Sequence, residues 1–114
     1  MKITFTAKGS NWDSNIDPRF GRTEYLLLYD TDKGELQSYD NRHIENEAHG
    51  AGPKTAKLIH DLKPDILITG NGPGENAAIA LEKAGVEIYT GAERMNVKEA
   101  LEAFNNKQLK KFNK

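Results

Sequence analysis

The chain has 114 residues, 16 basic against 17 acidic side chains, a formal net charge of −1 and no cysteine. A chain of this length buries somewhat over ~60% of the surface its unfolded form exposes, enough for one unstapled core, so residues 1–114 are read as a single domain. With no thiol, disulfides, thiolate nucleophiles, zinc ribbons and iron–sulfur clusters held by the protein's own thiolates fall away, and the balanced charge argues against a nucleic-acid surface built on many phosphate contacts.

Ile3-Thr4-Phe5-Thr6-Ala7 alternates apolar and polar residues with the period of a strand, and Gly9-Ser10-Asn11 ends it. Met1-Lys2-Ile3-Thr4-Phe5 therefore reads as structure rather than a signal peptide. No apolar run approaches the ~20 residues that span a bilayer, so a cytoplasmic protein without membrane contact is expected. Residues 10–22 lack periodicity but contain Asp17-Pro18-Arg19-Phe20-Gly21-Arg22, an ordered loop in which Pro18 fixes one φ angle and Gly21 permits a turn. Tyr25 to Tyr29 reads as a second strand. Asp30-Thr31-Asp32-Lys33-Gly34 is a hairpin signal, and Leu36 to Asn41 supplies the antiparallel partner.

Asn41 to Gly52 reads as a polar loop closing on Gly50-Ala51-Gly52-Pro53, with Pro53 opening a helix that Lys63-Pro64 ends. Asp65-Ile66-Leu67-Ile68-Thr69 is apolar in consecutive positions, as suits a strand covered on both faces. Gly70-Asn71-Gly72-Pro73-Gly74 turns into an alanine-rich helix stopped by Gly85, and Val86 to Tyr89 is a further strand. Asn96 with Glu99 forms a capping-box pattern before Val97, Ala100, Leu101 and Phe104, which share one face of a last helix. The tail carries Lys107, Lys110, Lys111 and Lys114 with no acid after Glu102, and it reads as a frayed, solvated end.

Neither glycine loop meets the requirements of a nucleotide site. A dinucleotide fingerprint would need glycine where Glu75 stands, and Pro53 separates Gly52 from Lys54 where a phosphate loop would join them. Both loops still place backbone N–H groups at helix starts, which suits an anion or polar ligand. If extended, the segment from His43 to His49 puts His43, Glu45, Glu47 and His49 on one side, a donor set for iron, zinc or manganese; the simpler reading is a solvated polar loop. His60 reads as a surface residue. Nuclease chemistry fails on placement, because the first strand carries no carboxylate and Asp65 stands at the wrong end of the fourth.

In this order, Asp17-Pro18-Arg19-Phe20-Gly21-Arg22, the His49-Gly50-x-Gly52 turn, Gly70-Asn71-Gly72-Pro73-Gly74-Glu75-Asn76-Ala77 and Gly85-Val86-Glu87-Ile88-Tyr89 carry a resemblance over nearly the whole chain. The chain resembles the dinitrogenase iron-molybdenum cofactor biosynthesis family, which includes NifX, NafY and the C-terminal domain of NifB. The resemblance implies an α/β, ribonuclease H-like motif: a three-layer sandwich with a five-stranded mixed sheet in the order β-β-β-α-β-α-β-α. It also implies a NifX-like domain of nitrogen fixation. Such a domain is a non-enzymatic carrier that binds an iron–sulfur or iron–molybdenum cofactor precursor transiently, with no permanently bound cofactor. On that basis His49 and His43 are the candidate metal ligands. Arg19 and Arg22, with the amides of Gly50, Gly52, Asn71 and Gly72, would complement an anionic cluster. The implied partner is a cluster donor or acceptor protein, and the implied state is a monomer or weak homodimer. Two other classes fit the residues: a small-molecule or anion sensor using the glycine loops, and an interaction module docking by a sheet edge or helix face.

Overall fold

In the first strand, β1 (Lys2–Ala7), Ile3, Phe5 and Ala7 alternate with Thr4 and Thr6, and all five are buried because both faces of the sheet are covered. The computed structural model describes residues 1–42 and 51–112. After β1 come β2 (Tyr25–Asp30), β3 (Glu35–Asp40), α1 (Ala51–Leu62), β4 (Ile66–Ile68), α2 (Glu75–Lys83), β5 (Glu87–Thr90), α3 (Val97–Asn105) and β6 (Lys110–Lys111). They form one mixed sheet in the order β3-β2-β1-β4-β5-β6. β1, β4 and β5 are parallel, whereas β2 and β6 run against their neighbours.

Successive side chains along the central strands serve two different cores. Ile3, Phe5, Leu27, Ile66 and Ile68 pack under Val97 and Ala100 of α3, where Trp12 sets its ring edge-on to Phe5 and Tyr29. Leu26, Leu67 and Ile88 point the other way, against Ala56 and Ile59 of α1 and Ala77, Ala78 and Leu81 of α2. The result is three layers, with α1 and α2 on one face and α3 on the other. A one-residue slip in β1 would exchange its threonines with Ile3 and Phe5, so the register is fixed by what each core accepts.

The expected element boundaries hold to within a few residues. The hairpin forms with Gly34 at φ +67° and with Asp30 Oδ1 accepting from the Asp32 and Lys33 amides. Asn96 and Glu99 make the reciprocal capping box, at 2.8 and 3.0 Å. α1 begins at Ala51, two residues before Pro53; proline is tolerated there because the first N–H groups of a helix have no intrahelical partner. Gly52 accordingly lies inside the first turn of the helix and not in a loop ahead of it. No helix among the described residues is long and apolar enough to cross a membrane.

The sheet has six strands where five were expected, and the sixth comes from the tail expected to fray. Lys107 takes a left-handed conformation at φ +60°, and the Gln108 amide donates back to the Ala103 carbonyl at 2.8 Å, which reverses the chain after α3. Lys110 and Lys111 then pair with β5, and the Phe112 ring enters the core beneath α2. Apolar Leu109 and Phe112, set among the lysines, supply the buried surface that a wholly polar tail would lack.

Lys107 and Gly85 occupy the same left-handed position after their helices, at φ +60° and +84°. For a side-chain-bearing residue that conformation costs about 1–2 kcal/mol, more than the ~0.4–1 kcal/mol of unfolded-state entropy that a glycine adds. Lys107→Gly is therefore expected to raise the melting temperature by a few degrees and Gly85→Ala to lower it, as thermal unfolding will register.

Candidate functional site

The carboxyl ends of β1, β3 and β4 and the N-terminal ends of α1 and α2 meet on one rim of the sheet, the edge at which open α/β sheets bind ligands. The loop from Asp17 to Glu24 runs along that rim, and its shape follows from one buried carboxylate. Asp17 has no exposed surface. Its Oδ1 accepts from the Arg19 amide at 3.0 Å and from Arg19 Nε at 3.1 Å; its Oδ2 accepts from the far guanidinium nitrogen of Arg19 at 3.1 Å and from the Glu24 amide at 3.1 Å. Two backbone amides and a forked guanidinium thus close the loop on itself.

Neighbouring elements hold the loop from several sides. The Asp17 amide donates to the Thr6 carbonyl, and the Thr6 hydroxyl donates to the Asp17 carbonyl at 2.8 Å. A hydroxyl carries one proton, so the 2.7 Å contact between Thr6 and Thr69 has Thr69 as its donor, which ties β1 to the end of β4. Thr55 of α1 donates to the Gly21 carbonyl at 2.7 Å, while Asn41 Nδ2 donates to both the Thr23 carbonyl and the Thr55 hydroxyl. From the glycine turn, the Asn71 amide donates to the Pro18 carbonyl at 3.0 Å. A Cβ on Gly70 would stand 2.6 Å from the Pro18 Cα, so only glycine allows this approach.

The expected site residues fall into two groups. Arg19, Arg22, Asn71, Gly72 and Gly52 all lie on or beside the rim. Arg19 is half-exposed but already grips Asp17, so part of its donor capacity shapes the loop. Asn71 spends its amide on Pro18 and leaves its side chain exposed. Gly72 stands at φ +89° as the bend of the turn. His43, His49 and Gly50 lie outside the described residues, as does the row containing Glu45 and Glu47. His60 is exposed beside Asp61, as expected of a surface residue. It lines the far part of a mainly apolar groove of about 280 Å³ between α1 and α2, whose near part is formed by Pro53, Asn76 and Ala77. Among the described residues no group of three or more histidines and carboxylates is arranged to hold a metal.

Sequence reasoning passed over the buried polar set of Thr6, Asp17, Thr23, Asn41, Thr55 and Thr69. A weak signal was present, since Thr6 and Thr69 stand at the rim ends of otherwise apolar strands. Arg42 was also missed. It pairs with Asp40, with a shortest contact of 2.7 Å, and lies 5.2 Å over the Tyr25 ring. Hydrogen bonding to Asp40 holds its guanidinium protonated even more firmly than an ordinary arginine. The rim therefore carries Arg19, Arg22, Arg42 and Lys54 among the carboxylates of Asp17, Glu24, Asp40, Glu75 and Glu93, a mixed rather than a one-signed surface. α2 starts at Gly74 without a side-chain cap, so its first amides receive no hydrogen bond from the capping residue.

The family model described as dinitrogenase iron-molybdenum cofactor matches residues 1–107. Two solved structures are similar over the full length. The apo form of the orange protein (ORP) from Desulfovibrio gigas aligns with a TM-score of 0.90 at 30% identity, over 99% of this chain and 96% of that one. An NMR structure of a Thermotoga protein described as a NifB candidate aligns with a TM-score of 0.82 at 32% identity, over 99% and 97%. Among curated proteins, none matches the chain.

Two threonines of β1 offer a test with opposite signs. Thr4 Oγ1 is buried without a hydrogen-bond partner, whereas the Thr6 hydroxyl bridges Asp17 and Thr69. Thr4→Val is expected to be neutral or to stabilise by up to ~1 kcal/mol, and Thr6→Val to cost about 1–3 kcal/mol, by denaturant unfolding. Asp17→Asn leaves an amide facing the donors of Arg19 and Glu24; a loss of about 1–3 kcal/mol is expected in the same measurement, moderated because Arg19 is half in solvent.

Proposed function

Because the chain belongs to the dinitrogenase iron-molybdenum cofactor family, we propose that it binds an iron–sulfur or iron–molybdenum cofactor precursor, or a related metallocluster, and hands it on without acting as an enzyme. The observation that supports this reading most directly is the pair of arginines at the rim: Arg19 and Arg22 on a loop clamped by buried hydrogen bonds, beside an α2 N-terminus with no side-chain cap. Guanidinium groups and helix-start amides are suited to an anionic, sulfide-rich cargo, and a loop fixed beforehand loses little entropy on binding.

His49 and His43 are the proposed metal ligands. The described residues that flank their segment, Arg42 and Ala51, both lie at this rim. With no cysteine available, imidazole nitrogen and backbone amides would hold the cluster more loosely than thiolates, in keeping with transient carriage. Glu75 in the first turn of α2 opposes any anion at those amides, a pyrophosphate or a cluster alike, so the attraction falls to Arg19 and Arg22. The proposed partners are a cluster donor and a cluster acceptor, in the cytoplasm, with the chain a monomer or weak homodimer. A ribonuclease-H-like assignment of the sheet is supported by the order β3-β2-β1-β4-β5, to which β6 is an addition.

Anaerobic titration with isolated iron–molybdenum cofactor, followed by visible absorption, is expected to saturate at one equivalent, with His49→Ala weakening binding about tenfold, or ~1.4 kcal/mol. No binding by either form overturns the reading. Preferential binding of phosphate or a nucleotide would make the rim an anion sensor instead.

A further inference from the structure

The family match ends at residue 107, yet the strand beyond it reaches the rim through a single side chain. Hydrogen bonds hold both ends of the 70–74 turn: the Gly91 amide donates to the Gly70 carbonyl at 3.1 Å, the Asn71 amide to the Pro18 carbonyl at 3.0 Å and the Ala78 amide to the Gly74 carbonyl at 2.9 Å. At the bend, contact takes over. A Cβ on Gly72 would lie 2.9 Å from Phe112 Cε1 and 3.2 Å from the Thr90 methyl, so the backbone of Gly72 rests directly against the Phe112 ring. Two residues later, Gly74 has open space around it and no side-chain cap.

Phe112 is itself anchored. Its amide donates to the Ile88 carbonyl at 2.7 Å, and its half-buried ring packs against the core that holds Phe20, Ala77 and Leu81. Phe20 belongs to the rim loop and Ala77 to the first turn of α2, so the ring borders the core that both enter and also presses on the turn that leads into the helix.

We propose that Phe112 is a positioning residue for the rim: its ring holds Gly72 at φ +89° and thereby fixes where α2 begins and how its first amides are presented. For the identity of the ligand this rests on the function proposed above. Gly72 is needed here for two reasons, its positive φ and the ring against it. The Thr90 methyl meets Gly72 beside the ring, and the Thr90 hydroxyl donates to the Lys110 carbonyl at 3.4 Å.

The test uses the full chain and has a readout that needs no cluster. In Phe112→Ala, exchange of the amides bonded to the turn, Asn71 (to Pro18), Gly91 (to Gly70) and Ala78 (to Gly74), is expected to rise about tenfold while amides of β1 and α3 change little, and Phe112→Leu restores protection. Unchanged exchange in that turn, or a rise of equal size throughout the chain in both variants, overturns the proposal. In a double-mutant cycle, the destabilisation by Gly72→Ala should shrink in the Phe112→Ala background; equal losses in both backgrounds overturn the contact as the cause. The cofactor titration separates this inference from the proposed function. If wild type binds, Phe112→Ala should bind about tenfold more weakly and Phe112→Leu nearly normally, and undiminished binding by Phe112→Ala overturns the proposal. If wild type does not bind but the turn loosens as stated, the functional reading falls and the positioning role stands.

Discussion

A carboxylate withdrawn from water is tolerated only when its lone pairs are filled, and in this protein the one at Asp17 organises the rim. Both oxygens accept from the loop's own backbone and from Arg19, so the carboxylate shapes the residues that follow it. Because the Asp17 backbone is also exchanged with Thr6, the loop is continuous with the central strand of the sheet. The glycine turn, α1 and the end of β3 then attach to this loop through Asn71, Thr55 and Asn41. Four parts of the chain distant in sequence share one polar network, and charged side chains project from it.

That arrangement explains why the site residues have divided duties. Arg19 serves the loop before it can serve a ligand, whereas the side chain of Asn71 is exposed and its backbone does the structural work. Gly70 and Gly72 are needed for close approach, one to Pro18 and one to Phe112. A rim built in this way separates rigidity from recognition. Donors fixed beforehand lose little entropy when an anion binds.

The fold was readable wherever a local pattern matched a local structure. Alternation in Ile3 to Ala7, the apolar run Ile66 to Ile68, the capping box at Asn96 and the stop at Gly85 each describe contacts within a few residues of themselves, and each formed as expected. The tail was misread because its lysines dominate any local reading. What makes it a strand is Phe112 meeting the core beneath α2, a contact between segments far apart in the chain. The buried polar network escaped for the same reason: a threonine at the end of a strand looks solvent-facing until its partner arrives from another element.

The sequence by itself determined the element order, the two-sided burial of the central strands and the absence of any thiol chemistry, because hydrophobic period, turn residues and composition act locally or through the whole chain at once. The tertiary structure alone decided that Asp17 is buried, that Thr6 and Thr69 bond across strands, and that the C-terminal strand presses on Gly72. Those are contacts between segments tens of residues apart, and their strength depends on desolvation and close fit, which exist only once the layers have packed.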